Sequence, residues 1–220
     1  MHFSCLLFVT CNLNREEILG KSIIEVGARD YNGSVRPFVE SLHPKEYIGV
    51  DYESGRGVDV TCDVVALKDT FGKERFDVVI STEMLEHVRH WKAAVHNLKA
   101  VCKKDGILLL TTRSQGFPYH GYPYDFWRFE CDDMRHIFSD FIMKTLSKDS
   151  EMGVFMKCVK PFDFQENDLS DQELYSIVLN HKAKTIMDSD LKWLYFKPWI
   201  IKEKIKDSIS NSVARILSKL

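Results

Sequence analysis

Long apolar runs, an excess of one charge and paired cysteines are all missing from this chain. The run LLFV at 6–9 is far short of the roughly 20 residues that span a membrane, and no basic residue precedes it as a secretory signal would require. The 30 basic and 32 acidic residues leave a formal charge of −2, which argues against a nucleic-acid partner, because neutralising phosphates takes a basic surplus. Cys5, Cys11, Cys62, Cys102, Cys131 and Cys158 are scattered, with no Cys-x-x-Cys pair and no zinc-type histidine spacing. Reduced thiols and a cytoplasmic location are therefore expected. What remains is ordinary for a folded chain, 45% hydrophobic and 28% charged, and 220 residues suffice for one buried α/β core with an appendage.

Short apolar runs alternate with helical patterns, which predicts a βαβ succession and a mostly parallel sheet with helices on both faces. Strands are expected at 22–26 (SIIEV), 47–50 (YIGV), 58–60, 76–81 (FDVVIS), 107–112 (ILLLTT), 142–146 and 154–159. Val35, Phe38, Val39 and Leu42 are spaced for a helix that Ser34 would cap, with Pro37 in its first turn. From Thr82, the apolar residues Met84, Val88, Trp91, Val95, Leu98 and Val101 predict a longer helix, ending at the basic and glycine residues 103–106. Residues 113–130 carry two prolines and three tyrosines, so a long loop is expected there, then a helix over 132–139.

Ligands of open α/β sheets bind beyond the carboxyl ends of the strands, where strand order reverses. The first βα turn, with Gly27 and Gly33, would let the backbone approach such a ligand closely. Asp51 ends the second strand 24 positions after Gly27, the spacing of a carboxylate that accepts hydrogen bonds from a ribose diol. The Gly-x-Gly-x-x-Gly dinucleotide fingerprint is not met, which disfavours NAD.

The segments IIEVGARDYNG, YIGVDYESG, CDVVAL, FDVVISTEMLEHV and GILLLTTR, in this order from about residue 15 to 160, resemble the class I methyltransferases that use S-adenosylmethionine (SAM), specifically the type-11 methyltransferase domain. The resemblance implies a Rossmann-like, seven-stranded sheet. It also implies that Glu25 and Gly27 shape a methionine pocket, that Asp51 holds the ribose, that Asp63 and Val64 meet the adenine, and that Thr82 lies beside the sulfonium, with Tyr52 in the cofactor set. Arg29 and Gly33 join the cofactor set, although the glycine-poor loop is where this chain departs from the family.

Methyl transfer to a hydroxyl needs a group to take the proton, and histidine titrates near neutrality. His87 follows Glu86 after the fourth strand and is either catalytic or a packing imidazole. His120 is favoured as the base. It lies in the loop GFPYHGYPYDFWRF, where Tyr119, Tyr122, Tyr124, Asp125, Trp127 and Arg128 suit stacking on an acceptor ring and hydrogen bonding to its substituents. The loop alternatively packs as a lid. Glu83, Glu86 and His87 form a Glu-x-x-Glu-His pattern that resembles one used by small-RNA 2′-O-methyltransferases and ubiquinone-pathway O-methyltransferases to hold a divalent metal, with His120 as a further ligand. Mg²⁺ or Mn²⁺ would suit such oxygen-rich ligands, but relatives without a metal share the letters, so a metal stays open.

The segment from Pro161 is expected to be a helical extension (161–220) to a methyltransferase domain (1–160). Residues 191–220 are basic, with Trp199, Ile201, Ile205, Ile209, Val213, Ile216 and Leu217 at helical spacing. They would contact an anionic membrane surface, or pack on their own domain or on a second subunit of a homodimer. The expected activity is methylation of a hydroxyl on a small molecule or saccharide. The alternatives are N-methylation of an amine and a non-catalytic SAM-binding or membrane-tethered scaffold.

Overall fold

The computed structural model describes residues 2–121 and 124–192. A helix α1 (Phe3–Asn12) and a single turn α2 (Arg15–Ile18) precede β1 (Ser22–Val26). Then come α3 (Arg36–Ser41), β2 (Glu46–Asp51), β3 (Val60–Thr61), α4 (Leu67–Phe71), β4 (Phe76–Thr82), α5 (Trp91–Val101) and β5 (Cys102–Arg113). After a loop follow β6 (Trp127–Arg128), α6 (Cys131–Ile137), β7 (Ile142–Asp149), β8 (Gly153–Val159), β9 (Leu174–Ser176), β10 (His181–Ala183) and α7 (Asp188–Lys192).

The main sheet has seven strands in the order β3-β2-β1-β4-β5-β8-β7, parallel except for β8, which runs against both of its neighbours. Alternate side chains leave a strand on opposite faces, and both faces of this sheet are covered. Ile23, Val78, Ile80 and Leu109 pack under α1, α2 and α3 with Phe8, Val9, Ile18 and Val39. Ile24, Val26, Val79, Leu108 and Leu110 pack on the other side with Trp91, Val95, Leu98, Met134 and Ile137. The near-continuous apolar strands thus reflect burial on two sides. The α/β class and the Rossmann-like sheet read from the sequence are what the chain adopts. Strand order reverses beside β1, which lies between β2 and β4, so the crevice at their carboxyl ends is where a ligand belongs.

Three expectations change. The helix predicted from Thr82 begins only at Trp91, after a 3-10 turn at Leu85–His87. Thr82 is still in β4, and Glu83 takes a left-handed φ of 56° that no helix can include. At its other end the helix passes directly into β5 at Cys102, because the 103–106 segment is held by paired backbone bonds between Asp105, Gly106 and Lys160. Finally, residues 161–187 are not helical. β9 pairs antiparallel with β6 and with β10 in a second, three-stranded sheet, and Leu169, Leu174, Val178 and Ile186 enter the same core as α5. Most of the basic amphipathic segment lies outside the described residues.

A buried lysine ties these layers together. Lys99, on α5, is fully buried and donates to the Ile137 carbonyl, Asp140 and Asn167 at 2.6–2.8 Å. Truncating one partner of such a pair strands the other charge without solvent. Lys99→Ala should lower stability by about 3–5 kcal/mol in urea unfolding, and combining Lys99→Met with Asp140→Leu should restore much of the loss.

Candidate active site

The cofactor side is built on the ends of β1 and β2. Gly27 has φ +84°, and its N–H and that of Ala28 both reach the Val50 carbonyl. A Cβ on Gly27 would lie 2.8 Å from the Met84 Cβ, so the glycine serves close packing between two loops at this crevice. Asp51 is almost buried, which pushes its carboxyl pKa up. Its Oδ2 accepts the Arg29 N–H at 3.3 Å and its Oδ1 the Glu53 N–H at 3.1 Å. A carboxylate offers about four acceptor positions, so each oxygen retains capacity for a hydroxyl. This donor and acceptor balance fits a ribose diol, and the half-exposed ring of Tyr52 beside it gives a stacking surface.

The other expected cofactor residues differ in what they offer. The Arg29 guanidinium is paired with Glu53 and stacked on Tyr31, so its backbone N–H is the part that serves Asp51. Gly33 is exposed, and its N–H closes a turn on Asp30. Asp63 caps the 3-10 turn at Val64–Ala66 through Val65 N–H, with Val64 buried behind it. Thr82 is buried at the end of β4. Glu25 accepts the Tyr47 hydroxyl inside the sheet face, and burial pushes its pKa up to about 7.

The structure brings together Glu86, His87 and His120, the residues expected at the acceptor side. Thr111 and Thr112 at the end of β5 point to opposite faces of the sheet and divide the two glutamates between them. Thr112 donates to Glu86 Oε2 at 2.8 Å, whereas Thr111 and the buried Arg113 engage Glu83. Glu83 also meets Cys5 of α1, so it is separated from the histidines it accompanies in sequence. Glu86 is fully buried, and its Oε1 has no hydrogen-bond partner. That atom lies 3.8 Å from His120 Nε2 and 3.9 Å from His87 Nε2. Burial holds the Glu86 carboxyl above, and the His87 imidazole below, their ordinary ranges.

Both rings are oriented from behind. His87 Nδ1 meets the Tyr124 carbonyl, and His120 Nδ1 lies 3.1 Å from Asp125 Oδ2, which also accepts the His120 backbone N–H at 2.7 Å. Burial works against ionising Asp125, but the hydrogen bonds of Arg128 and then His120 outweigh it and hold its pKa low. Gly121, at φ +72°, crosses His87 so closely that a Cβ would be 2.7 Å from the ring.

Some of the expected acceptor contacts are corrected by this geometry. Trp127 and Arg128 are buried. The indole donates to the Arg89 carbonyl, and the guanidinium spends its five N–H groups on Asp125 and the carbonyls of Phe117, Pro118 and Trp127. They position the loop and leave nothing for a substrate. Tyr119 is half-buried against the core, and Tyr122 lies outside the described residues. Tyr124 remains half-exposed, edge-on to Tyr52 at 6.2 Å between centroids. Thr112 and Met84, by pattern a strand end and a helix-face residue, also border the site, on Glu86 and Gly27 respectively.

Comparison with known proteins bears on the family and the fold. The family model for a methyltransferase domain matches residues 11–148. A Burkholderia thailandensis 1,6-didemethyltoxoflavin-N1-methyltransferase, solved with 1,6-didemethyltoxoflavin and S-adenosylhomocysteine, shares the fold at TM-score 0.59 and 14% identity over 72% of this chain and 79% of that one. A Mesorhizobium loti SAM-dependent methyltransferase gives 0.53 and 13% over 72% and 97%. A Haloferax volcanii methyltransferase complexed with the Trm112 activator gives 0.55 and 11% over 68% and 86%. No protein of curated function matches in sequence. The fold is Rossmann-like, with a ligand crevice at the carboxyl ends of the strands. The chain belongs to the class I SAM-dependent methyltransferases, and SAM is its cofactor.

Two measurements test the cofactor side. Asp51→Ala should weaken SAM binding in calorimetry by about 100-fold or more, the value of two hydrogen bonds to a charged group, with the circular dichroism spectrum unchanged. Glu25 keeps its proton up to about pH 7 in the fold but loses it near 4.5 when unfolded, so its contribution to stability is complete below pH 4.5 and disappears as pH rises through 7. Urea unfolding should show Glu25→Gln gaining on the parent protein by about 3 kcal/mol between pH 4 and pH 8.

Proposed function

We propose that the enzyme methylates a hydroxyl of a small molecule or saccharide, with His120, His87 and Glu86 as the catalytic group. SAM supplies the methyl as a sulfonium, whose charge disperses during an in-line displacement, so positioning and a dry pocket provide most of the acceleration. A hydroxyl differs from an amine in having to shed a proton to become a good nucleophile. The observation that carries the reading is that three acceptor atoms converge beside the cofactor crevice. Asp125 and the Tyr124 carbonyl each bind an Nδ1, which makes that nitrogen the N–H and leaves the Nε2 lone pairs to converge with Glu86 Oε1. Such a group stabilises the positive charge released when a hydroxyl ionises.

Tyr124 and Tyr52 supply ring surfaces for the acceptor and the adenosine, respectively, and their contact sets the two side by side. Asp125 acts through His120 as a positioning residue. The formal charge of −2 supports a small acceptor over nucleic acid, and six free thiols support a reducing, cytoplasmic setting. Among the described residues no helix is long and apolar enough to cross a membrane.

Turnover of isotopically labelled SAM against a panel of hydroxyl and amine acceptors should give O-methyl products by mass spectrometry and NMR. His120→Ala should lose about 10²–10⁴-fold in kcat, the usual worth of such a group, with SAM affinity unchanged. Methyl found on nitrogen, as the name of the Burkholderia relative would suggest, or full activity in His120→Ala, would overturn the proposal.

A further inference from the structure

We infer that Glu86 Oε1, His87 Nε2 and His120 Nε2 form a three-point site for a divalent transition-metal cation. This rests on the reading of these residues as the acceptor-side catalytic group and specifies how they act. Glu86 Oε1 lies 3.8 Å and 3.9 Å from the two Nε2 atoms, and one ligand atom from each residue lies within 4.8 Å of the other two. Donors about 2.0–2.2 Å from one ion sit roughly 3.0–3.5 Å apart, so side-chain adjustments of about 1 Å or less would close the cluster on it.

Three features favour a cation here over simple packing. Glu86 Oε1 is fully buried without a hydrogen bond, which costs about 1–3 kcal/mol unless something positive meets it. Every ligand has a partner behind it that fixes its orientation: Thr112 for Glu86, the Tyr124 carbonyl for His87, and Asp125 for His120, the outer arrangement that metal-binding imidazoles and carboxylates require. Asp125 is in turn neutralised by Arg128, so the ligand set carries one net negative charge. The imidazoles are partly open, at 27% and 31% side-chain exposure. Coordination positions toward the acceptor are thus free, as in catalytic rather than structural sites.

Glu83 decides which ion. The Glu-x-x-Glu-His pattern would supply two carboxylates and favour Mg²⁺, but the side chain of Glu83 is committed to Arg113 on the other face of the sheet. The donor set is therefore two nitrogens and one oxygen. Imidazole ligands suit Zn²⁺, Fe²⁺, Co²⁺ or Ni²⁺, whereas Mg²⁺ demands oxygen. As a Lewis acid, such an ion lowers the pKa of a hydroxyl placed against it.

The test is a Co²⁺ titration of chelator-treated full-length protein, followed by visible absorption and calorimetry, with Zn²⁺ and Mg²⁺ as competitors. One Co²⁺ per chain should bind with d–d bands, Zn²⁺ should displace it, and millimolar Mg²⁺ should not. Glu86→Gln, His87→Ala and His120→Ala should each weaken Co²⁺ by at least tenfold, Asp125→Asn by about 10–100-fold, and Glu83→Gln should leave the affinity unchanged. SAM affinity of each variant serves as the control for folding. Absence of Co²⁺ binding, or binding indifferent to all three ligand variants, overturns the site. O-methylation that persists after chelation overturns the metal and leaves the hydroxyl reading standing, whereas Co²⁺ binding with N-methyl product does the reverse.

Discussion

The buried pair Asp125 and Arg128 governs the shape of the loop that carries His120. An arginine without solvent must place every N–H on an acceptor, and Arg128 does so by gathering the carbonyls of Phe117, Pro118 and Trp127 around the carboxylate of Asp125. The loop between β5 and β6 is thereby folded back on itself. The lone pairs of Asp125 that Arg128 leaves available meet His120 twice, at its backbone and at Nδ1. Ring orientation, tautomer and the path of Gly121 over His87 all descend from that ion pair. Its value lies in specifying a shape, since a buried pair contributes little net stability against an apolar replacement.

The sheet supplies the complementary constraint. Adjacent residues of a strand face opposite layers, so Thr111 and Thr112 assign Glu83 to the α1 side and Glu86 to the histidines. Two carboxylates three positions apart thus acquire separate roles, one holding Arg113 and the N-terminal helix, the other facing His87 and His120. The left-handed backbone at Glu83 allows the chain to leave β4 at that angle. A residue without glycine's freedom accepts about 1–2 kcal/mol of strain there, offset by the ion pair that its side chain makes with Arg113.

Where local pattern and burial coincide, the sequence was readable. All seven strands of the main sheet, Asp51 at the end of β2, and the grouping of Glu86, His87 and His120 follow from apolar runs, spacing and family resemblance. What escaped depends on contacts between distant residues. Met84 and Val88 fall in helical register with Trp91 and Val95, yet the conformation of Glu83 and the docking of Trp127 on the Arg89 carbonyl keep residues 83–90 out of the helix. Trp127 and Arg128 looked like an exposed stacking surface because nothing local announces that β9, some 50 residues later, pairs over them. For the same reason 161–187 resembled a helical extension: strands of three residues carry too few positions to show a period.

That late pairing divides the enzyme in time as well as in space. β1 to β4 and the bend at Gly27 all precede residue 83, and the parallel sheet that carries them is closed by β8. β6 acquires its antiparallel neighbour only once Leu174–Ser176 has been made. A chain emerging from the ribosome therefore carries every strand of the main sheet before the loop bearing His120 has a floor to rest on. Sequence change in that loop and its β9 support can reshape the surroundings of His120 while the strands that carry Gly27 and Asp51 stay as they are.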